Sequence, residues 1–147
     1  MQLTQILTPL AAMAMTMVCW LPVAAQTKTD DGLILEMHQA FRSNDKARLS
    51  RLLPQSREHV MAPWAAFWEL RARLDTASTT DIQEFLARYA GTYQEDRLRL
   101  EWLKLLGKRR DWAAFAAEYP SYRMRDDKEV RCYASVSYTH LTLPTKA

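Results

Sequence analysis

The chain has 147 residues, with 20 Lys and Arg against 17 Asp and Glu and a formal net charge of +3. So slight a basic excess, with no motif of a known nucleic-acid-binding module beside it, excludes nucleic acid as an expected partner. Hydrophobic residues make up 48% of the chain and only 3 Gly and 6 Pro interrupt it. That is the composition of one folded domain built from regular segments.

No charged side chain occurs before Lys28, and Ile6 to Leu21 is almost wholly apolar. Pro22-Val23-Ala24-Ala25-Gln26 follows, with short side chains at the two positions a signal peptidase reads. Residues 1–25 are therefore expected to be a secretory signal peptide cleaved after Ala25, although the n-region carries no Lys or Arg. The apolar run is shorter than the ~20 residues of a spanning helix, so no stable membrane span is expected after cleavage. Cys19 leaves with the leader, and Cys132 then has no intrachain partner in an oxidising compartment. It reads as a small buried core residue on a helix.

Beyond the leader the apolar spacing is helical throughout. Asp30 or Asp31 can cap a first helix carrying Leu33, Ile34, Met37 and Phe41, and Ser43-Asn44-Asp45 turns the chain into a second with Ala47, Leu49, Leu52 and Leu53, stopped by Pro54. Pro63 suits the first turn of a third helix, whose Trp64, Phe67, Trp68, Leu70 and Leu74 form a broad aromatic face. Thr80 with Gln83, or Asp81 with Glu84, can make a capping box for a fourth, carrying Ile82, Phe85, Leu86 and Tyr89 and ended by Gly91. The fifth, from about Tyr93 to Lys108, is apolar on more than one side through Leu98, Leu100, Trp102, Leu103, Leu105 and Leu106, and should be sandwiched between neighbours. Asp111 caps a sixth with Trp112, Phe115, Ala116 and Tyr119, terminated by Pro120, and a seventh opens at Asp127.

Seven short helices on short connections fit an all-α array of antiparallel helix pairs, part of a solenoid-like α-superhelix. Trp-Ala-Ala-Phe at Trp64 to Phe67 recurs at Trp112 to Phe115, as though one unit had been used twice. After Ala134 the pattern changes. Val136 to Ala147 has little charge, no helical period and Pro144, so the last helix is expected to lose its packing partner there, as in a chain cut short.

No constellation of catalytic chemistry stands out. There is no Gly-rich phosphate loop, His-Glu-x-x-His, Cys-x-x-Cys or Gly-x-Ser-x-Gly. His38, His59 and His140 are scattered, and read as solvated or packing residues. Acid chemistry on a sugar needs one Glu in an apolar pocket. The two candidates, Glu101 beside Trp102 and Glu69 on the Trp64 helix, have Arg97 and Arg73 four residues away and read as ion-paired residues of a solvated face. Lys104, Lys108, Arg109 and Arg110 could face an acidic polymer such as the bacterial cell wall, or offset the negative end of their helix dipole. No catalytic, cofactor-binding or metal-ligating residue is assigned.

Ala40-Phe41-Arg42-Ser43-Asn44-Asp45, Trp64-Ala65-Ala66-Phe67-Trp68-Glu69-Leu70-Arg71, Arg109-Arg110-Asp111-Trp112 and Glu129-Val130-Arg131-Cys132-Tyr133-Ala134 resemble the N-terminal superhelical domain of soluble lytic transglycosylases. The resemblance spans about Asp31 to Ala134. It implies a periplasmic protein, a parent enzyme that cleaves the glycan strands of peptidoglycan, and a partial α-superhelical domain over residues 26–135. In that family the chemistry belongs to a separate lysozyme-like domain whose acid is a Glu followed by Ser. No Glu-Ser dipeptide occurs here, so no catalytic residue carries over and this chain is expected to be inactive on glycan. Residues 136–147 resemble a translated sequencing adaptor and are expected to be non-native. The alternative reading is a free-standing periplasmic adaptor with tetratricopeptide-like helix pairs.

Overall fold

The computed structural model describes residues 24–142, with side chains from Asp31 onward. Among these residues the fold is all-α. The helices are α1 (Ala24–Arg42), α2 (Lys46–Leu52), α3 (Ala62–Ala72), α4 (Thr79–Arg88), α5 (Tyr93–Arg109), α6 (Trp112–Glu118) and α7 (Lys128–Thr142), with 3₁₀ turns at Leu53–Ser56 and Tyr119–Ser121. The expected leader lies outside the described residues apart from Ala24 and Ala25, which open α1. That helix therefore starts earlier than a cap at Asp30 or Asp31 would place it, since no proline interrupts the chain between them.

Most helix starts follow local side-chain chemistry. Asp45, Ser78, Thr92 and Asp111 accept from the backbone N–H groups of Arg48, Asp81, Glu95 and Ala114. Asp127 accepts from Glu129 and Val130 through one oxygen. Each side chain satisfies donors that the first helical turn leaves without a partner. The cap of α4 is Ser78 and not Thr80 or Asp81: Ser78 is extended, the helix begins one residue later, and Asp81 is freed to receive Arg73 Nη1 at 2.8 Å. At the next boundary Gly91 has φ 84 and its N–H donates to the Glu95 carboxylate at 3.1 Å. A left-handed residue is required there, which a glycine adopts without strain.

Packing follows chain order. α1 lies on α3, α3 on α5, and α5 on α7, while α2 fits against α1 and α3, α4 against α5, and α6 between α5 and α7. Four neighbours around α5 explain why it is apolar on several sides: Leu98, Leu100, Trp102, Leu103 and Leu106 are all buried. Close approach of α7 has a marker at Gly107, where an added Cβ would overlap the Tyr133 ring near its own stem. Gly107→Ala must push α7 outward and should cost about 1–3 kcal/mol in a denaturant titration. An unchanged midpoint would mean that α7 is not seated there.

The Trp-Ala-Ala-Phe echo does not mark a repeated place in the array. Both copies bury their Phe, with Trp edge-on to it at 5.8 Å in α3 and 6.5 Å in α6. Yet α3 packs on α1, α2 and α5, whereas α6 packs on α5 and α7. Local geometry repeats, and its surroundings differ.

The last helix also departs from expectation. α7 does not end near Ala134 but continues to Thr142, with Ser137 buried and its hydroxyl donating to the Trp112 carbonyl at 3.3 Å. Val130, Tyr133 and Ser137, at i, i+3 and i+7, keep one stripe against α6, which is the helical period that the polar residues around Tyr138 conceal. Cys132 falls off that stripe and is exposed, not buried as its sequence context predicts.

A buried ionic cluster fastens the α6–α7 connection to the start of α5. Arg99 donates to Glu95 at 2.8 Å and also to Glu118. Arg123 donates to the second Glu95 oxygen at 2.9 Å, and the N–H groups of Arg123 and Met124 donate to the two oxygens of Asp96 at 2.8 and 2.9 Å. Asp96 is 2% exposed. Burying that carboxylate is tolerable because both oxygens have donors. Nearby, Tyr122 is fully buried and donates to Asp126 at 2.7 Å. Burial, then the Asp126 carboxylate, pushes its phenol well above the usual range.

Candidate functional site

Three helices in succession, α1 on α3 and α3 on α5, present connected side-chain stripes. On α3 the stripe is Trp64, Trp68 and Arg71, at i, i+4 and i+7, which is one face of the helix. Trp68 is the buried centre: His38 and Phe41 of α1 lie 5.1 and 6.3 Å from it between ring centroids, and Trp64 lies at 6.1 Å. From Trp64 the row crosses to Tyr93 of α5 at 5.9 Å. These separations, with the Phe41–Trp68 planes stacked and the others tilted, are those of favourable aromatic pairs.

The stripe continues in charge. Arg71 sits 5.5 Å over the Phe41 ring and 3.3 Å from Glu101, and Arg97 approaches the same Glu101 oxygen at 3.7 Å. One carboxylate thus serves two guanidinium groups, leaving a net positive charge along α3 and α5. Tyr93 is 52% exposed, Trp64 is half-buried, and the side chains of Arg71 and Arg97 are 37% and 38% exposed. Aromatic and cationic groups meet solvent together on this face, as they also do where Lys108, Arg110, Trp112, Tyr133 and His140 line an open cavity between α5, α6 and α7.

The residues singled out from sequence are dispersed. Glu101 belongs to the face just described, held by Arg97 as expected and by Arg71 as well. Glu69 pairs with Arg73 at 2.8 Å, but it is buried and not solvated: Ser50 Oγ also donates to its Oε1 at 2.8 Å, because α2 packs against α3. Burial works against the Arg73 charge, yet hydrogen bonds to Asp81 and Glu69 outweigh it and raise its pKa. His59 meets Asp31 at 3.4 Å and accepts from the Met61 N–H, while His140 stacks on Trp112 at 5.5 Å. The three His are not brought together, and no group of three or more His, Cys, Asp or Glu among the described residues could hold a metal ion.

The basic run is largely occupied within the fold. Lys104 binds Asp127 at 2.6 Å and Glu129 at 3.8 Å, Lys108 lies 4.0 Å from Glu129, and Arg109 donates to the Asp75 carbonyl at 2.6 Å. Lys104 holds the Asp127 carboxyl below the usual carboxylate range, and the same bond raises Lys104. Asp75 and Asp81 are lowered in the same way by Lys46 and Arg73. A carboxylate with a depressed folded-state pKa contributes stability above its unfolded pKa of about 3.9 and loses it as pH falls through the folded value. The melting temperature should therefore fall below about pH 4. Asp127→Asn, which keeps a capping oxygen but no charge, should flatten part of that fall in melts across the acid range. An unchanged acid limb would remove Asp127 from the account.

Sequence reasoning found the Trp64–Trp68 stripe but not its continuation to His38 and Tyr93, nor the second arginine on Glu101. Spacing within each helix was visible, whereas the adjacency of α1, α3 and α5 was not. Comparison with protein-family models, curated proteins and solved structures found no match to this chain.

Proposed function

We propose that this chain is a helical scaffold of a periplasmic peptidoglycan lytic transglycosylase, the superhelical part that embraces the cell wall while a lysozyme-like domain of the parent protein cleaves the glycan strand. The observation that supports this reading most is the consecutive stacking of α1, α3, α5 and α7 with a second row of helices beside them. Stacked helix pairs of this kind bury aromatic stripes that no single pair can cover, and extend into curved arrays. The sequence resemblance from Asp31 to Ala134 adds the substrate, and the apolar leader over residues 1–25 adds the compartment. Zymography on peptidoglycan tests the proposal: the chain itself should leave the gel uncleared, and the full-length gene product should clear it. An inactive full-length product would sink the reading in favour of a protein-binding adaptor.

A further inference from the structure

We propose that the cleft between α3 and α4 binds a small zwitterion, an α-amino acid with an apolar side chain, its ammonium on Glu69 and its carboxylate on Arg57 and Arg88. The cleft has a volume of about 280 Å³ and takes its walls from α3, α4 and the turn at Leu53–Ser56. α3 lines it with Ala66, Glu69, Leu70 and Arg73. α4 packs against α5, and its stripe of Asp81, Glu84, Phe85 and Arg88 faces the cleft. Both sets follow i, i+3, i+4 and i+7, so each is one face of its helix. Arg73 closes one end by reaching Asp81 at 2.8 Å, and Arg88 lies roughly 10 Å further along α4.

Glu69 supplies the reason for a ligand. It is 5% exposed, and its two donors within the fold, Ser50 Oγ and Arg73 Nε, both go to Oε1 at 2.8 Å. Oε2 accepts from no described residue yet is not sealed inside the protein, so its opening is the cleft that Glu69 lines. A carboxylate oxygen so placed is costly without a donor. Arg73 also divides one positive charge between Glu69 and Asp81, which leaves that pair of carboxylates one cation short. A primary ammonium carries both the donors and the charge.

Elsewhere on the wall the imbalance is reversed. Arg57 and Arg88 line the same cleft, are exposed, and pair with no carboxylate among the described residues. Their planar forks suit a carboxylate. Counting Glu84, the charges around the cleft cancel, so an ammonium alone or a carboxylate alone leaves one group unmatched. A zwitterion matches both. Leu53, Leu70 and Phe85 supply apolar wall, the last two buried, for an apolar side chain. The volume is close to the lower limit of about 300 Å³ for small-molecule sites, which suits a single amino acid.

Titration of the isotope-labelled chain with L-leucine, followed through its amide NMR shifts, tests the proposal. Saturable shifts should centre on α3, α4 and the Leu53–Ser56 turn. Isoamylamine, which is leucine without its carboxylate, and isocaproate, which is leucine without its ammonium, should each bind on the order of tenfold more weakly. Arg88→Ala should weaken leucine by a similar factor and leave the amine unaffected. Glu69→Gln should weaken leucine and the amine and leave isocaproate unaffected. Ala66→Leu, which fills the cleft from α3, should abolish binding, and Arg131→Ala on α7 should bind as the parent chain does. Thermal melts identify any variant that fails to fold. If Glu69→Gln is among them, the exposed Arg88→Ala decides. The proposal is overturned if leucine gives no saturable shift in these elements, if either half-ligand binds as tightly as leucine, or if folded Arg88→Ala binds leucine undiminished. Clearing of peptidoglycan by the full-length product is independent of all three, so the scaffold reading stands or falls separately.

Discussion

Arg99→Ala is expected to lower the unfolding free energy by about 3 to 5 kcal/mol, the cost of breaking a buried ion pair from one side. Arg99 is 8% exposed and bridges Glu95, itself 6% exposed, to Glu118 on α6. Removing the guanidinium leaves buried carboxylate oxygens without that partner, and Arg123 can reach only one of the two Glu95 oxygens. The packing contribution is separable. Arg99→Met restores most of the volume and none of the charge, so it should lose nearly as much as alanine. Denaturant titration decides between the causes: recovery in the methionine variant would assign the effect to packing, and a loss under about 1 kcal/mol in both would show that the cluster is hydrated. Arg131→Ala, an exposed position on α7, should stay within about 0.5 kcal/mol of the parent.

Trp102→Ala should cost about 3 to 5 kcal/mol through lost burial and the cavity left behind. Trp102 is 4% exposed on the helix with four neighbours, so the surroundings cannot collapse onto the gap without moving several elements. Trp64→Ala is the contrast. Its ring is half-buried on the α1–α3–α5 face, so a smaller loss is expected. Equal losses at the two positions would contradict the placement of the core in α5.

The parts of the fold legible from sequence are those decided within a few residues. Asp111 and Asp127 cap helices because an acceptor at that position meets N–H groups two or three residues on, an entirely local arrangement. The multi-faced apolar content of α5 likewise announces a helix with neighbours on several sides. Long-range pairings carry no such signal. Asp96 bonds the N–H of Arg123 across 27 positions, and nothing in either residue's neighbourhood names the other. Glu69 looked solvated because its Arg73 partner is local, while the closing contact from Ser50 arrives from another helix. On the candidate face, Trp64 and Trp68 were readable as a stripe. Its extension into a joined face depends on α5 bringing Tyr93 and Arg97 alongside, which only the packing of helices settles.

α7 is continuous through residues 136–142. A helix can extend through any segment that lacks a breaker, and none occurs between Asp127 and Thr142. Burial of Ser137 carries the stripe of α7 past Ala134.

The scaffold proposal turns most directly on the genomic reading frame beyond codon 135. Sequencing it should reveal further helical segments followed by a lysozyme-like domain with a Glu-Ser dipeptide in place of the Val136–Ala147 sequence. A stop codon directly after Ser135 would contradict the proposal and leave a free-standing helical adaptor.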